Sequence, residues 1–381
     1  MNQQQQQLIQ NEFDQLRWYY KNDFEKWAYI SFNENQGSLA FFGGTGGNYH
    51  LNTTVIVKQI RINGNHLKIL KEIFFLSCLK KNRYFAEILD VFLSNDGQKI
   101  YIVLKDEGPN LKDYINFYIK NDKLVSFDFF RHIIFQIACG LKILHDKNLI
   151  HSDIKHGNIV VSGTGLIKIC DLGNTDKISK LKYAGTNGYL SPQVLLGKEI
   201  SKEDDMWALG VVYLELFKKE AGIFSYNLDK KEKIKDCGFK VLKYLLENFY
   251  DIKKPNSNWY EENIITNVII NSIKSGEFNM FEYRLKPNLL EVEGLNDDDK
   301  EIIKKLLDLN PTKRMNINDL INSSMFQEYN YMFINSDINY READYERYFG
   351  NENTIENNFN QFLNEIKQKI NGLTLFNNNN N

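Results

Sequence analysis

The chain is predicted to be an α+β protein, with a small β-rich part followed by a larger, mainly helical part. Three observations predict this. Between residues 29 and 105 the apolar residues fall in short, β-branched runs separated by turn residues. Beyond Gly108 they recur at three- and four-residue steps instead. The chain has 381 residues, 43% of them hydrophobic and 13% aromatic, enough for two ordinary cores.

The elements follow in order. After the opening Gln run, Ile9, Phe13, Leu16, Tyr20, Phe24 and Trp27 share one helical face. Tyr29–Phe32 and Gly37–Phe42 read as strands, GGTGGN as a hairpin turn, and Thr53–Ile62 as a third strand. A helix is expected over His66–Lys80. Two more strands, Ile88–Leu93 and Lys99–Leu104, flank the turn SNDGQ. Leu111–Tyr118 and Phe127–Asp146 are the first helices of the second part, and helices resume near Asp204. The charged section 218–293 reads as an insertion with helices at Phe239–Phe249 and Glu262–Ser275. Lys300–Leu307 and Ile317–Ser324 close the globular part. Ile355, Phe359, Phe362, Ile366 and Ile370 then form a late helical stripe, open to self-docking or to a partner, and stopped by Gly372.

Composition limits the function classes. A net charge of −2 gives no basic excess for a phosphate backbone, so nucleic acid is not an expected partner. The 4 cysteines, Cys78, Cys139, Cys170 and Cys237, are dispersed, which suits a reducing compartment and supplies no zinc knuckle. MNQQQQQLIQ does not read as a signal peptide, and no apolar run is long enough to span a bilayer. The expected location is the cytoplasm, with the nucleus as the alternative. The terminal Gln and Asn runs read as solvated tails.

The chemistry is concentrated in LIHSDIKHGNIVVSGTGLIKICDLG, residues 149–173. It holds Asp153, Lys155, Asn158 and Asp171. A phosphoryl group in transfer needs an acid to orient the attacking hydroxyl, cationic charge on the phosphates, and oxygen ligands for Mg²⁺. These four side chains supply that set, and a β-hairpin between them would carry Asp171 back beside Asp153.

HSDIKHGN followed by DLG resembles the catalytic loop and metal-binding motif of the eukaryotic protein kinases. VIVK (Val55–Lys58) resembles their third-strand lysine motif, and EIFFLSCLKKN places Glu72 as the helical partner of that lysine. GTNGYLSPQ (Gly185–Gln193), DMWALG (Asp205–Gly210) and LLDLNPTKRM, with Arg314, follow in the family's order. The resemblance covers roughly residues 29 to 326. It implies a bilobal fold with a β-rich N-lobe at 29–105 and a C-lobe at 106–328 carrying the 218–293 insertion. A polar extension at 1–28 and an Asn-rich extension at 329–381, each with an amphipathic helix, would flank these lobes.

The same resemblance implies roles. Asp153 would accept the proton of the substrate hydroxyl, and Lys155 would neutralise the γ-phosphate. Asn158 and Asp171 would hold Mg²⁺. Lys58, paired with Glu72, would contact the α- and β-phosphates of ATP. Gly37, Leu39, Ile56, Leu104 and Val160 would belong to the nucleotide site, with Lys105–Glu107 offering backbone groups to adenine. Asp205 is expected to be structural, bonding the backbone of the catalytic loop. Lys155 and Thr186 point to serine and threonine in protein substrates.

Several positions depart from the family. Gly37 stands alone in FNENQGSLAF, where three glycines are usual. Ile56 replaces the alanine that lies against adenine. Ser152 replaces the arginine that would pair with a phosphate on Thr175, Ser179 or Tyr183, which implies constitutive activity or other control. Gln193 replaces the glutamate partner of Arg314. His156 and Gly157 replace a Pro-Glu pair, and the Lys58–Glu72 interval is shorter than the family's by about one helical turn. Two readings follow: an active serine/threonine kinase using MgATP, or a pseudokinase scaffold. A small-molecule kinase fits less well, since residues 185–193 resemble segments that dock peptides.

Overall fold

The computed structural model describes residues 27–33, 38–43, 55–62, 66–93, 98–116, 126–178, 184–228, 234–253, 262–278, 281–332, 338–350 and 361–365. They fall into two compact units. One comprises the chain up to Glu107 together with the segment from Ile338 onward; the other runs from Gly108 to Asp337.

The first unit is built on an antiparallel sheet of five strands: β1 (Trp27–Asn33), β2 (Ser38–Gly43), β3 (Val55–Arg61), β4 (Ile88–Leu93) and β5 (Lys99–Lys105), in the order β1-β2-β3-β5-β4. All five expected strands are present. In β3, Val55 and Val57 are buried while Ile56 and Lys58 are half-buried, the period-2 alternation of a one-sided strand. Trp27, expected on a helical face, instead starts β1 opposite Gly43. Sheet pairing overrides its helical spacing. The rest of that stripe, Ile9 to Phe24, lies outside the described residues, as does GGTGGN.

Helix α1 (His66–Cys78) follows β3, and its residues from Ile69 to Leu76 are all buried. A helix hidden on every side needs cover on more than one face. Part of that cover comes from the end of the chain, where α10 (Glu342–Phe349) and the helical residues 361–365 belong to the same unit. Of the late stripe, only Phe362 is described. It is buried. Ile355, Phe359, Ile366 and Ile370 lie outside the described residues.

The second unit is mainly helical. Short α2 (Leu111–Tyr114) is capped by Asn110, whose side chain accepts from the Asp113 amide. Ser126 caps α3 (Phe127–His145) in the same way through the Phe129 amide. Two β-ribbons follow: β6 (Leu149–Ile150) pairs with β9 (Asp176–Lys177), and β7 (Ile159–Val161) with β8 (Ile167–Ile169). Then come α4 (Pro192–Leu195) and α5 (Lys202–Lys218). From Asp204 to Phe217 every residue of α5 is buried, which makes it the central helix of the unit. Helix α6 (Ile234–Phe249), strand β10 (Tyr250–Lys253), helix α7 (Glu262–Ser275) and strand β11 (Glu282–Leu285) fill the expected insertion. The β10–β11 pairing is a feature that the charged pattern of this section did not announce. Helices α8 (Asp297–Leu306) and α9 (Ile317–Ile321) complete the unit.

One buried acid ties three helices together. Asp299, at the start of α8, receives Arg131 of α3 at 2.6 Å and the Tyr213 hydroxyl of α5 at 2.6 Å. Its own amide is capped by Asn296 at 2.8 Å. Among the described residues no helix is long and apolar enough to cross a membrane.

Candidate active site

The residues singled out in the sequence divide between the two units. In the second unit the loop after β6 carries the acid. Asp153 is buried, and its carboxylate has three side-chain neighbours. Lys155 Nζ donates to Oδ2 at 2.9 Å, the Thr186 hydroxyl donates to Oδ1 at 2.7 Å, and Asn158 Nδ2 reaches Oδ2 at 3.1 Å. Lys155 also donates to Thr186 Oγ1 at 2.7 Å, closing a triangle of acid, ammonium and hydroxyl. Asn158 Nδ2 gives a further bond to the Asp153 carbonyl at 2.8 Å. Both amide bonds use nitrogen, which leaves Oδ1 as the atom that could serve as a ligand oxygen.

The loop is held from below by a second acid. Asp205, fully buried in α5, accepts the backbone amides of His151 at 2.9 Å and Ser152 at 2.8 Å, and His145 Nε2 at 2.9 Å. Burial alone would raise its carboxyl. The bond from His145 and the His145 and His151 rings outweigh that and hold it below the ordinary carboxylate range. The expected structural role of Asp205 is thus realised. Ser152, between the two acids, has φ +67°, a left-handed backbone that a non-glycine residue keeps only when its surroundings fix it. Gly185 packs directly against this residue: a Cβ there would meet the Ser152 carbonyl at 2.9 Å, and φ is +117°.

The hairpin brings the chain just before Asp171 back to the loop at Asn158. After β7 and β8, the Cys170 amide donates to the Asn158 carbonyl at 2.8 Å, which brings the residue before Asp171 onto Asn158. Asp171 is half-buried and has φ +59° and ψ +65°, the second left-handed non-glycine residue of the region. Val160, in β7, is half-buried and paired with Lys168.

In the first unit Lys58 of β3 and Glu72 of α1 form a two-pronged ion pair, Nζ lying 2.7 Å from Oε1 and 2.9 Å from Oε2. Glu72 is almost fully buried and Lys58 retains 19% exposure. The short interval between them does not prevent the pair. Helix α1 begins at His66, so Glu72 already lies in its second turn. Ile56 lies opposite Leu104 in the sheet, and Leu39 opposite Gln59. The Lys105 amide donates to the Glu87 carbonyl at 2.9 Å, so Lys105 can offer only its carbonyl to a base. Its ammonium lies 3.4 Å from Glu107. Gly37 lies outside the described residues.

Two departures from the family pattern prove to be built into the packing. Gln193 Oε1 accepts from Arg314 Nη2 at 2.9 Å, while Gln193 Nε2 donates to the Leu309 carbonyl at 2.7 Å. Arg314 also bonds the carbonyls of Glu203 and Asp308, lies 3.8 Å from Asp204, and stacks 5.1 Å from the Trp207 ring. It therefore has a counter-charge after all, supplied by the residue before Asp205. Burial raises the Asp204 carboxyl, against the opposing effect of Arg314 and the bond from Ser191. His156 is buried, with Nδ1 at 3.1 Å from the Tyr189 hydroxyl and 2.9 Å from Glu215. Glu215 Oε2 takes the Tyr189 hydroxyl at 2.8 Å, and Oε1 takes the amides of Gly222 and Ile223 at 2.6 and 2.8 Å. Burial, with the Glu215 charge, pushes the Tyr189 phenol well above its ordinary range. This network links the catalytic loop to residues 184–191. The only sequence signal for it was an acid, Glu215, set in the apolar run WALGVVYLELF. Thr175, named as a phosphorylation position, is fully buried. Ser179 and Tyr183 lie outside the described residues.

Among the described residues no three His, Cys, Asp or Glu side chains gather into a metal cluster. The candidate donors are one amide oxygen, Asn158, and one carboxylate, Asp171. Such a sparse set of hard oxygens fits Mg²⁺, which keeps waters and shares its shell with phosphate, better than it fits a soft or caged metal.

Comparison with known proteins agrees with this geometry. The protein kinase domain family matches residues 47–326. The chain is 33% identical over 156 residues to serine/threonine-protein kinase polo of Drosophila melanogaster, covering 39% of this chain and 27% of that protein. It is 29% identical over 201 residues to serine/threonine-protein kinase ste20 of Emericella nidulans, covering 50% of this chain and 23% of that one. With serine/threonine-protein kinase CLA4 of Saccharomyces cerevisiae it shares 29% identity over 181 residues, covering 45% and 21%. The aligned stretch thus spans only about a quarter of each relative's length. The family match, extending over most of the chain and including both the Lys58–Glu72 pair and the Asp153 loop, shows that the chain belongs to the protein kinase family.

Proposed function

We propose that the chain is an active serine/threonine protein kinase, transferring the γ-phosphate of MgATP to serine or threonine hydroxyls of protein substrates. The observation that carries this reading is the triangle of Asp153, Lys155 and Thr186, with contacts of 2.7 to 2.9 Å. A substrate hydroxyl replacing that of Thr186 on Oδ1 would be aimed by the acid and lose its proton to it as the new O–P bond forms and the bond from the γ-phosphorus to the bridging oxygen breaks, releasing ADP. Lys155, already within reach, would neutralise charge on the transferring group. Asn158 Oδ1 and Asp171 would hold the metal, and Lys58, fixed by Glu72, would bind phosphate oxygens. When bound, MgATP supplies the phosphoryl group and the charge that screens it.

Ile56, Ser152 and the lone Gly37 support a second reading, a pseudokinase scaffold that binds partners and transfers little. Gln193 no longer supports it, since its amide does the anchoring work of the usual glutamate. A labelled-phosphate transfer assay on a serine/threonine peptide library, with Asp153→Asn and Lys58→Met as controls, separates the two. Transfer by the wild type, lost in both variants, supports the enzyme. Absence of transfer, together with no thermal shift in millimolar MgATP, supports the scaffold.

A further inference from the structure

We infer that residues 338–350 and 361–365 are a built-in brace for helix α1, and that Tyr345 and Phe349 are positioning residues acting through Glu72 on Lys58. The inference rests on the kinase reading only in making Lys58 a nucleotide ligand; the brace itself is a matter of contacts within the first unit. Glu72, Leu76 and Ile69 lie at three- and four-residue steps, so they share the face of α1 that meets the sheet. Phe74 points the opposite way, about 200° round the helix from Glu72. A lone helix on a sheet would leave that outer face wet. Here Phe74 is buried, at 1% exposure, as is Phe75 on the flank of the helix, at 0%.

The cover is aromatic and comes from the end of the chain. The Phe74 ring lies 5.3 Å from Phe349 and 5.7 Å from Tyr348, edge to face. Phe75 stacks on Tyr340 at 6.3 Å and meets Tyr345 at 6.2 Å. The backbone joins in: the Asn339 amide donates to the Cys78 carbonyl at 2.9 Å, satisfying one of the carbonyls that a helix end leaves over. A second layer locks the first. Phe362 packs on Tyr348 at 4.8 Å, and Glu365 accepts from the Tyr348 hydroxyl at 2.7 Å and from Arg347 at 3.0 Å. Helix α1 is thus clamped between sheet and tail. Any shift or rotation that withdrew Glu72 from Lys58 would also have to break this ring cluster. Ser152, standing where the family carries an arginine, makes an internal brace of this kind the more pertinent. It holds the ion pair without a phosphate on residues 175–183.

The test uses the full chain and reads the brace directly. Tyr345→Ala/Phe349→Ala is compared with the conservative Tyr345→Phe/Phe349→Tyr. Amide hydrogen exchange is followed over 66–78 and, as an internal reference, over β5. Lys58 is followed by amine labelling and mass spectrometry. The alanine pair is expected to speed exchange in α1 about tenfold or more with β5 unchanged. Lys58 labelling and the KM for MgATP should both rise by about fivefold or more, with the protein-substrate KM steady, and the conservative pair should restore all three. Should the alanine pair not fold, Phe362→Ala, one layer further out, is expected to give the same pattern at smaller size. Equal loosening of α1 and β5 would overturn the inference and leave the tail a mere structural cap. So would unchanged Lys58 labelling. If the wild type transfers no phosphate, the kinase reading fails, but exchange and labelling still decide the brace.

Discussion

Two aspartates of the second unit, Asp153 and Asp205, are both buried, and both accept several hydrogen bonds. Their donors differ in kind. Asp205 is satisfied by two backbone amides of the loop and a histidine buried at the end of α3, all held in place by the fold. Asp153 is satisfied by the ends of three side chains, Lys155, Thr186 and Asn158, of which Lys155 keeps 25% exposure. Donors of the first kind fix a shape. Donors of the second kind can swing aside for a substrate hydroxyl, a phosphate or a metal. Under the proposed function, the contrast separates a scaffold acid from a working acid by the mobility of what each one binds.

Substitutions can break or sharpen that contrast. The largest expected effect is on activity at Asp153. Asp153→Asn should lower kcat by about 10³-fold or more, a loss of about 4 kcal/mol in transition-state stabilisation. It should leave stability within about 1 kcal/mol, since the amide oxygen can still accept from Lys155 or Thr186 and Lys155 keeps its access to water. Peptide phosphorylation and denaturant melts check the two halves of this statement. Asp205→Asn should do the reverse, costing about 3 kcal/mol of stability, because one amide hydrogen would face backbone donors in a dry site. A chemical-denaturation midpoint reads it.

The same acid sets an acid-side limit. The Asp205 carboxyl is held below its ordinary value of 3.8, so its contribution to stability is fully present above that value. It is lost as pH falls through the lower, folded-state value. Stability against pH should therefore drop on the acid side of about pH 4, more steeply in the wild type than in Asp205→Asn. Urea melts at a series of pH values measure the difference.

Smaller effects are expected where the donors are shared. Gln193→Ala should cost about 2 kcal/mol, since Arg314 would lose its amide partner but keep Asp204 and two carbonyls. Thr186→Ala should lower kcat by only about tenfold, because Lys155 still orients Asp153 when the hydroxyl is gone. Equal melting temperatures for Thr186→Ala and wild type would tie that loss to positioning.

Local pattern made much of this legible. The five strands were visible because β-branched runs and turn residues are local signals, and the loop from His151 to Asn158 with Asp171 was visible as a set of residue types at short spacing. Asp205 was readable because the acid of DMWALG stands at the head of an apolar helix. What pattern did not reveal depends on distant partners. His156 meets Tyr189 across 33 positions, and Gln193 meets Arg314 across 121, so no local periodicity announces either. The β10–β11 ribbon joins Tyr250 to Leu285 across a charged stretch with weak alternation. Helix α10 went unread because EADYERYF hides its apolar face in tyrosines, which count as polar until their rings are seen packed against Phe74 and Phe75.

The central claim is that Asp153 is a working acid held by displaceable donors. The most direct test is the initial rate of phosphate transfer from labelled MgATP to a serine/threonine peptide library, with wild type and Asp153→Asn measured side by side at equal folded concentration. The account predicts clear transfer by the wild type and at least a roughly thousandfold lower rate in the variant. Equal rates in the two proteins would contradict it.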